Sequence, residues 1–252
     1  MKRFCLVILL IVFFDAQISN AQEKSSHEHN HVGWYAAYLD VKLSQTWSIY
    51  AEYQWRRDHL ITDSKQQVGN IGVNYKFLEN LTFRLGFVYS DTYDYGQIPV
   101  QEFGKEFPEY RVYQMLELEH SFSELELTHR LMLDQRWIGQ YDHVTSEKID
   151  GFEFTNRIRY MIRFQHPIKT YHENKSIYLA TYNEILLGFG KNVENNLFDQ
   201  NRFGLIVGYK VNEYFRFEGG YFYQMAKFGR KINGLDHYQH NSGLTISTYF
   251  NL

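Results

Sequence analysis

The sequence predicts an all-β protein, a single antiparallel transmembrane β-barrel of about 10–12 strands with a charged, filled lumen. Three observations predict it. Apolar and polar residues alternate with period two through most of the chain, as in strands with one apolar face. Short turns and long polar stretches alternate between the runs, which places all short connections on one rim and all long ones on the other. The N-terminus has the form of an export signal.

That signal is the first element. Lys2 and Arg3 precede an uninterrupted apolar run from Phe4 to Phe14, and Ser19-Asn20-Ala21 puts small residues at the cleavage positions before Gln22. Residues 1–21 therefore read as a cleaved signal peptide. Its apolar run is far short of the ~20 residues a helix needs to cross a bilayer, and no later window supplies them. The sole cysteine, Cys5, lies inside the signal. The mature chain thus has no disulfide framework, thiolate metal site or cysteine nucleophile. Residues 22–32 form a His-rich N-terminal segment, and 33–252 form the barrel.

Strands are expected at 33–43, 47–57, 67–77, 81–90, 109–121, 125–137, 151–164, 176–189, 199–211, 214–225 and 238–252. The last is the clearest: Leu244, Ile246, Thr248, Phe250 and Leu252 share a face opposite Thr245, Ser247, Tyr249 and Asn251. Trp47, Ile49, Ala51, Tyr53 and Trp55 likewise alternate with Ser48, Tyr50, Glu52, Gln54 and Arg56. Tight turns fall at 44–46, 78–80, 122–124 and 211–213, with long stretches at 58–66, 91–108, 138–150, 190–198 and 226–237. The 165–175 connection is too long for the short-turn rim. Pro99, Pro108 and Pro167 all fall in connections, since proline cannot donate to a ladder. These runs number eleven, whereas bacterial single-chain barrels have even counts. The expectation is ten or twelve, with residues 22–32 as the source of a twelfth strand although HEHNH is a poor one.

Composition narrows the function classes. A mean hydropathy of −0.46 excludes a helical membrane protein, and an aromatic share of 18% excludes a disordered chain. A net charge of −3 supplies no broad attraction to nucleic acid. A soluble barrel would bury the apolar face, whereas a membrane barrel turns it to lipid. The export signal favours the second, as do Trp34, Trp47, Trp55 and Trp137 at strand ends, where aromatic girdles belong. Gly72, Gly86, Gly204, Gly208 and Gly220 on the polar face suit a crowded lumen, and Phe250 resembles the terminal aromatic of barrels assembled in bacterial outer membranes.

The inward positions carry the chemistry. They hold Arg56, Arg84, Arg111, Arg130, Arg136, Arg157, Arg159, Arg163, Arg202 and Arg216 against Asp40, Glu52, Glu117, Glu119, Glu126, Asp134, Glu153, Glu184 and Glu218. Buried charges persist when paired, so a guanidinium–carboxylate lattice is expected to fill the barrel. A turn at Ser123-Glu124 sets Glu117 opposite Arg130 and Arg111 opposite Arg136. The competing reading is an anion path past Arg157, Arg159 and Arg163.

Other polar clusters lie outside the lumen. Gln114, His129, Asn156, Thr181 and Asn183 fall on the outward parity, where polar groups need partners. Gln114, His129, Asn156 and Asn183 are read as a lipid-face interaction patch, and no serine accompanies His129 to suggest a hydrolase triad. His27, His29 and His31 are a weak Zn²⁺ or Cu²⁺ candidate beside the simpler reading of a solvated tail. Loop 91–108 is long enough to cap the mouth. Neither a Gly-rich phosphate loop nor a basic–aromatic nucleic-acid stripe occurs.

The ordered series EYQWRR (Glu52 to Arg57), PEYRVYQ (Pro108 to Gln114), HRLMLDQR (His129 to Arg136), RIRY (Arg157 to Tyr160), NEI (Asn183 to Ile185) and FDQNR (Phe198 to Arg202) resembles the domain-of-unknown-function 2490 family. That family comprises uncharacterised bacterial proteins regarded as outer-membrane barrels, mostly from Bacteroidota. The resemblance implies a barrel and a cell-envelope location, and it brings no catalytic residues. The expected function is a non-enzymatic outer-membrane barrel, structural or partner-binding. The alternatives are a narrow channel for small, anionic solutes and, third, a barrel hydrolase. No cofactor is expected. The expected partners are outer-membrane lipid and an envelope protein or a second copy of the chain, with no nucleic acid.

Overall fold

The computed structural model describes residues 25–252 except 173, 194 and 195; the signal expected at 1–21 lies outside them. The strands are β1 (Ser25–Lys42), β2 (Trp47–Asp58), β3 (Asp63–Leu78), β4 (Leu81–Thr92), β5 (Phe107–Phe122), β6 (Leu125–Gln140), β7 (Gly151–His172), β8 (Lys175–Phe189), β9 (Phe198–Lys210), β10 (Phe215–Lys227) and β11 (Asp236–Asn251). They close into one barrel in chain order. Every sequential pair is antiparallel, and β1 closes on β11 in parallel over Ser25↔Asp236 to Asp40↔Asn251.

Eleven strands lie within the expected range, but the expectation of an even number is corrected. In an up-and-down meander an odd count leaves first and last strands pointing the same way, so closure must be parallel. Such ladders are only slightly weaker per residue. The C-terminus is tied in at the same seam, where Lys42 N donates to Leu252 O at 2.7 Å and Leu252 N to Asp40 O at 2.8 Å.

The seam also corrects the start of the barrel. Residues 25–32 already belong to it, because the described part of the His-rich segment is the first half of β1. HEHNH lacks alternation, yet β11 supplies its backbone partners, and inward Asn30 bonds to Asn241 at 3.2 Å. A second correction concerns proline. Pro108 is the second residue of β5, and Pro167 lies within β7 at a register shift between Pro167 and Lys169. Both are places where a missing N–H is tolerated. The long 165–175 connection resolves for the same reason: β7 runs on through irregular pairing to His172, and a short turn follows.

The turn rim thus carries only short connections, and the loops 93–106, 141–150, 190–197 and 228–235 occupy the other end, the loop rim. The long stretch expected at 58–66 is corrected to a four-residue turn, 59–62, on that loop rim, because β2 and β3 pair on to Asp58 and Asp63. Parity follows the charge pattern. Ile71, Leu131, Leu179, Leu205 and Ile246 belong to an outward aliphatic belt, with Ile71 57% exposed. Aromatic pairs flank it, Trp47–Tyr75 and Phe215–Phe250 near the turn rim and Trp137–Phe154 and Tyr110–Phe152 near the loop rim. Trp34 leaves this girdle. Its parity is inward, and it stacks on Phe222 at 4.1 Å inside the lumen.

The lumen holds apolar packing as well as charge. Val68, Val88, Tyr113, Met115 and Met132 form one cluster, and Tyr178, Ala180 and Ile206 form another with Tyr182 against it. Tyrosine rings lie flat over cross-strand glycines: Tyr113 over Gly86, Tyr182 over Gly204 and Tyr178 over Gly208. A Cβ on Gly208 would sit 2.0 Å from the Tyr178 ring, so only glycine admits that packing.

Candidate functional site

One connected ion-pair lattice runs over the lumen side of β5 to β9. Glu109 accepts from Arg111 at 2.7 Å and Arg136 at 2.5 Å, and Arg136 faces Asp199 at 3.8 Å. Arg157 joins Asp199 at 2.9 Å to Asp134 at 2.8 Å. Arg159 carries the chain from Asp134 at 3.9 Å to Glu184 at 2.8 Å, where Arg130 and Arg202 also bind at 3.0 and 3.3 Å. Several links skip strands: Arg136 to Asp199 runs from β6 to β9, and Arg163 to Glu218, at 2.6 Å, from β7 to β10. Tyr178 and Tyr249 also donate to Glu218, at 2.6 and 3.0 Å. Such chords tie together strands up to three apart, and each buried carboxylate shares its charge among several donors, the condition for burying it at tolerable cost.

The remaining expected lumen residues occupy the same interior. Arg84 stacks over Tyr50 at 3.4 Å and donates to Asn74 at 2.6 Å, and Arg216 stacks over Tyr249 at 4.0 Å. Glu153 accepts from Gln140 at 3.2 Å. Glu117 stands opposite Arg130 and Arg111 opposite Arg136 in the ladder. The ion pairs nevertheless go elsewhere, Arg130 to Glu184, while Glu109 bridges the two facing arginines. Sequence reasoning missed Glu109, although it shares the parity of Arg111. It also missed Asp199 and Lys65, for which parity gives no signal: both sit beside register shifts that turn an extra residue inward.

The loop rim is roofed by residues 93–106. Glu28 accepts from Ile98 N at 3.0 Å, Asn30 at 3.1 Å and Gln239 at 2.5 Å, fastening the loop to the seam of β1 and β11. Burial pushes the Tyr95 phenol well above its ordinary pKa, so it stays protonated and donates to Gln239 Oε1 at 2.5 Å. Arg230 holds Pro99 O at 2.6 Å. Beneath the loop lies a cavity of about 470 Å³ lined by residues that include Arg56, Lys65, Arg202 and Asp199.

On the outer wall, Gln114 exchanges hydrogen bonds with Gln135 at 3.2 and 3.3 Å, and Asn183 with Asn201 at 3.2 and 3.1 Å. His129 meets Tyr160 OH at 2.7 Å, and Asn156 stands opposite Gln135 in the ladder of β6 and β7. Mutual pairing lowers what these groups cost in an apolar setting. His27 and His29 project outward near the loop rim and stack with His240, the His27 and His240 nitrogens 2.8 Å apart; His31 is exposed on the same face. Among the described residues no group of three or more His, Cys, Asp or Glu side chains is arranged to hold a metal ion.

One constellation has the membership of a hydrolase triad. Ser26 Oγ lies 2.8 Å from His237 Nδ1, and His237 Nε2 lies 3.7 Å from Glu28. The arrangement is unsuited to nucleophile activation. The imidazole nitrogen facing Glu28 makes no hydrogen bond, and the carboxylate accepts instead from three other donors, so no hydrogen bond from Glu28 orients the ring.

A closed all-β barrel with a cross-linked, charged interior defines the class. The chain belongs to the family described as protein of unknown function (DUF2490), whose pattern matches residues 32–233. No curated protein matches it. Among solved structures it is similar to the "NanC porin structure in rhombohedral crystal form", at 14% identity and a TM-score of 0.43, covering 88% of this chain and 98% of that one.

Proposed function

We propose that the chain is a non-enzymatic outer-membrane barrel, exported through residues 1–21, whose lumen is sealed and whose loop rim binds a ligand or partner outside the cell. The supporting observation is the lattice from Arg111 to Arg202, whose members bridge nonadjacent strands instead of lining the wall singly. These guanidinium groups, on β5 to β9, reach past their neighbouring strands into the interior that a hydrated pore would need for its path. Membrane insertion is supported by the outward belt around Ile71, Leu179, Leu205 and Ile246 and by the aromatic pairs on either side of it. The excess of cations under loop 93–106 supports a second reading, a narrow passage for small anions.

Proteoliposome swelling tests the proposal. Liposomes containing the folded, mature protein should swell in isotonic small sugars no faster than empty ones. Swelling that slows with increasing solute size would overturn the sealed lumen. Recovery in the soluble periplasmic fraction, with gel migration unchanged by boiling, would overturn membrane insertion.

A further inference from the structure

The cavity under loop 93–106 is lined by eight Arg or Lys side chains and four carboxylates. Five of these cations already meet a carboxylate: Arg111 and Arg136 meet Glu109, Arg157 meets Asp199, Lys227 meets Asp236 at 2.6 Å, and Arg202 meets Glu184 at 3.3 Å through one of its terminal nitrogens. Arg56 and Lys65 do not. Arg56 is buried, yet its guanidinium meets the amide oxygens of Gln54 at 2.8 Å and Gln66 at 2.5 Å in place of a carboxylate. It lies 4.1 Å over Trp34, and Arg202 lies 5.3 Å over the same indole, so two like charges are held as neighbours. Lys65 is 4% exposed, and its Nζ has no hydrogen-bond partner; the ring of Tyr95 faces it at 4.2 Å.

This arrangement is costly for a merely structural purpose. An ammonium buried without a partner carries a desolvation penalty, which one aromatic face offsets only in part. The register shift between Arg56 and Arg57 is what turns Lys65 inward beside Gln66, so a backbone irregularity serves to place that charge in the cavity. Planar guanidinium forks fit planar or tetrahedral oxyanions, and an ammonium adds a movable point charge.

We propose that Arg56, Lys65 and Arg202 form a binding site for a small oxyanion, a carboxylate or phosphate, in the roofed half of the lumen. The site deepens the function proposed above, giving the ligand-binding rim a ligand class, and it rests on that reading for its orientation toward the cell exterior. Asp58 is the internal rival: it is buried near Lys65 in sequence register, and its Oδ1 also lacks a hydrogen-bond partner. An ion pair between the two would satisfy both groups without a ligand.

Calorimetric titration of the mature protein, folded in zwitterionic detergent at low salt, decides between them. The probes are inorganic phosphate and citrate, with glycerol as the neutral control. Saturable binding of either anion is expected, and Lys65→Met and Arg56→Gln should each weaken it about tenfold or more, the value of one charge-assisted hydrogen bond. Asp58→Asn should leave binding unchanged or tighten it, and Lys169→Met, far away on the turn rim, should leave it unchanged. In anion-free buffer Lys65→Met should raise the urea midpoint, because it removes an unpartnered buried charge. That readout keeps the test sound if Arg56→Gln fails to fold. Absence of saturable binding, equal affinity in Lys65→Met, or destabilisation by both Lys65→Met and Asp58→Asn would overturn the site. Binding by a protein that also swells liposomes would keep the site and overturn the sealed lumen. No binding by a protein that stays sealed would do the reverse.

Discussion

Replacing Arg157 with methionine is the sharpest perturbation of the lattice. Arg157 is 2% exposed and contacts two carboxylates, Asp134 at 2.8 Å and Asp199 at 2.9 Å. With an effective dielectric constant of ~20, each contact carries about 6 kcal/mol of Coulomb attraction before desolvation. Burying the guanidinium cancels much of that, so the pair adds little net stability while both partners remain. Removing one partner is different, because Asp134 is left buried with Arg159 at 3.9 Å as its nearest remaining ion-pair partner, and Asp199 keeps Arg136 at 3.8 Å. Those two arginines can swing closer, which places the expected loss at the lower end of the usual 3–5 kcal/mol, about 3 kcal/mol. Urea titration of the refolded barrel, followed by its heat-dependent gel shift, reads this loss. Arg157→Met combined with Asp134→Leu should recover a good part of it, since no carboxylate is then stranded at that position. A single-variant loss under about 1 kcal/mol, or a double variant as unstable as the single one, would refute the reasoning.

Three further outcomes follow from the geometry. Gly208→Ala should cost about 1–3 kcal/mol in the same titration, because its Cβ would meet the Tyr178 ring, whereas Gly69→Ala, with nothing within 4 Å, should cost little. Ile71→Arg, on the aliphatic belt, should lower stability in bilayers by about 2–4 kcal/mol if the site lies at mid-membrane, with a much smaller effect in detergent; equal effects in both would count against lipid contact. Glu28→Gln should loosen loop 93–106, whose Ile98 N–H it holds, and speed tryptic cleavage after Lys105 by roughly tenfold, the value of one charge-assisted bond; an unchanged cleavage rate would show that the loop is fastened elsewhere.

Much of this was legible in the sequence, and the reason is geometric. Period-two alternation assigns a face without knowledge of strand partners, so Arg111, Arg157, Glu184 and Glu218 could be set inside from local pattern alone. The hairpin turn similarly fixed Glu117 opposite Arg130 and Arg111 opposite Arg136. What local pattern lacks is reach. Which carboxylate a long guanidinium finds depends on barrel curvature, so Arg130 passes over its neighbour for Glu184. Asp199 and Lys65 depend on bulges, where parity slips by one residue, and bulges are a property of pairing. The first half of β1 was illegible because its inward face holds Glu28 and Asn30 and its outward face holds His27, His29 and His31. With polar residues on both faces, no alternation marks a strand. The parallel seam that rescues it joins residues more than two hundred positions apart.

Single-channel recording in planar bilayers tests the central claim, a lumen closed by its own ion pairs, most directly. The wild-type barrel should insert and stay electrically silent. A variant carrying Asp134→Asn and Glu184→Gln, which strips the charge from the carboxylates joining Arg157, Arg159, Arg130 and Arg202, should show irregular leak as the arginines repel. Discrete, stable openings in the wild type, unchanged in that variant, would contradict the account.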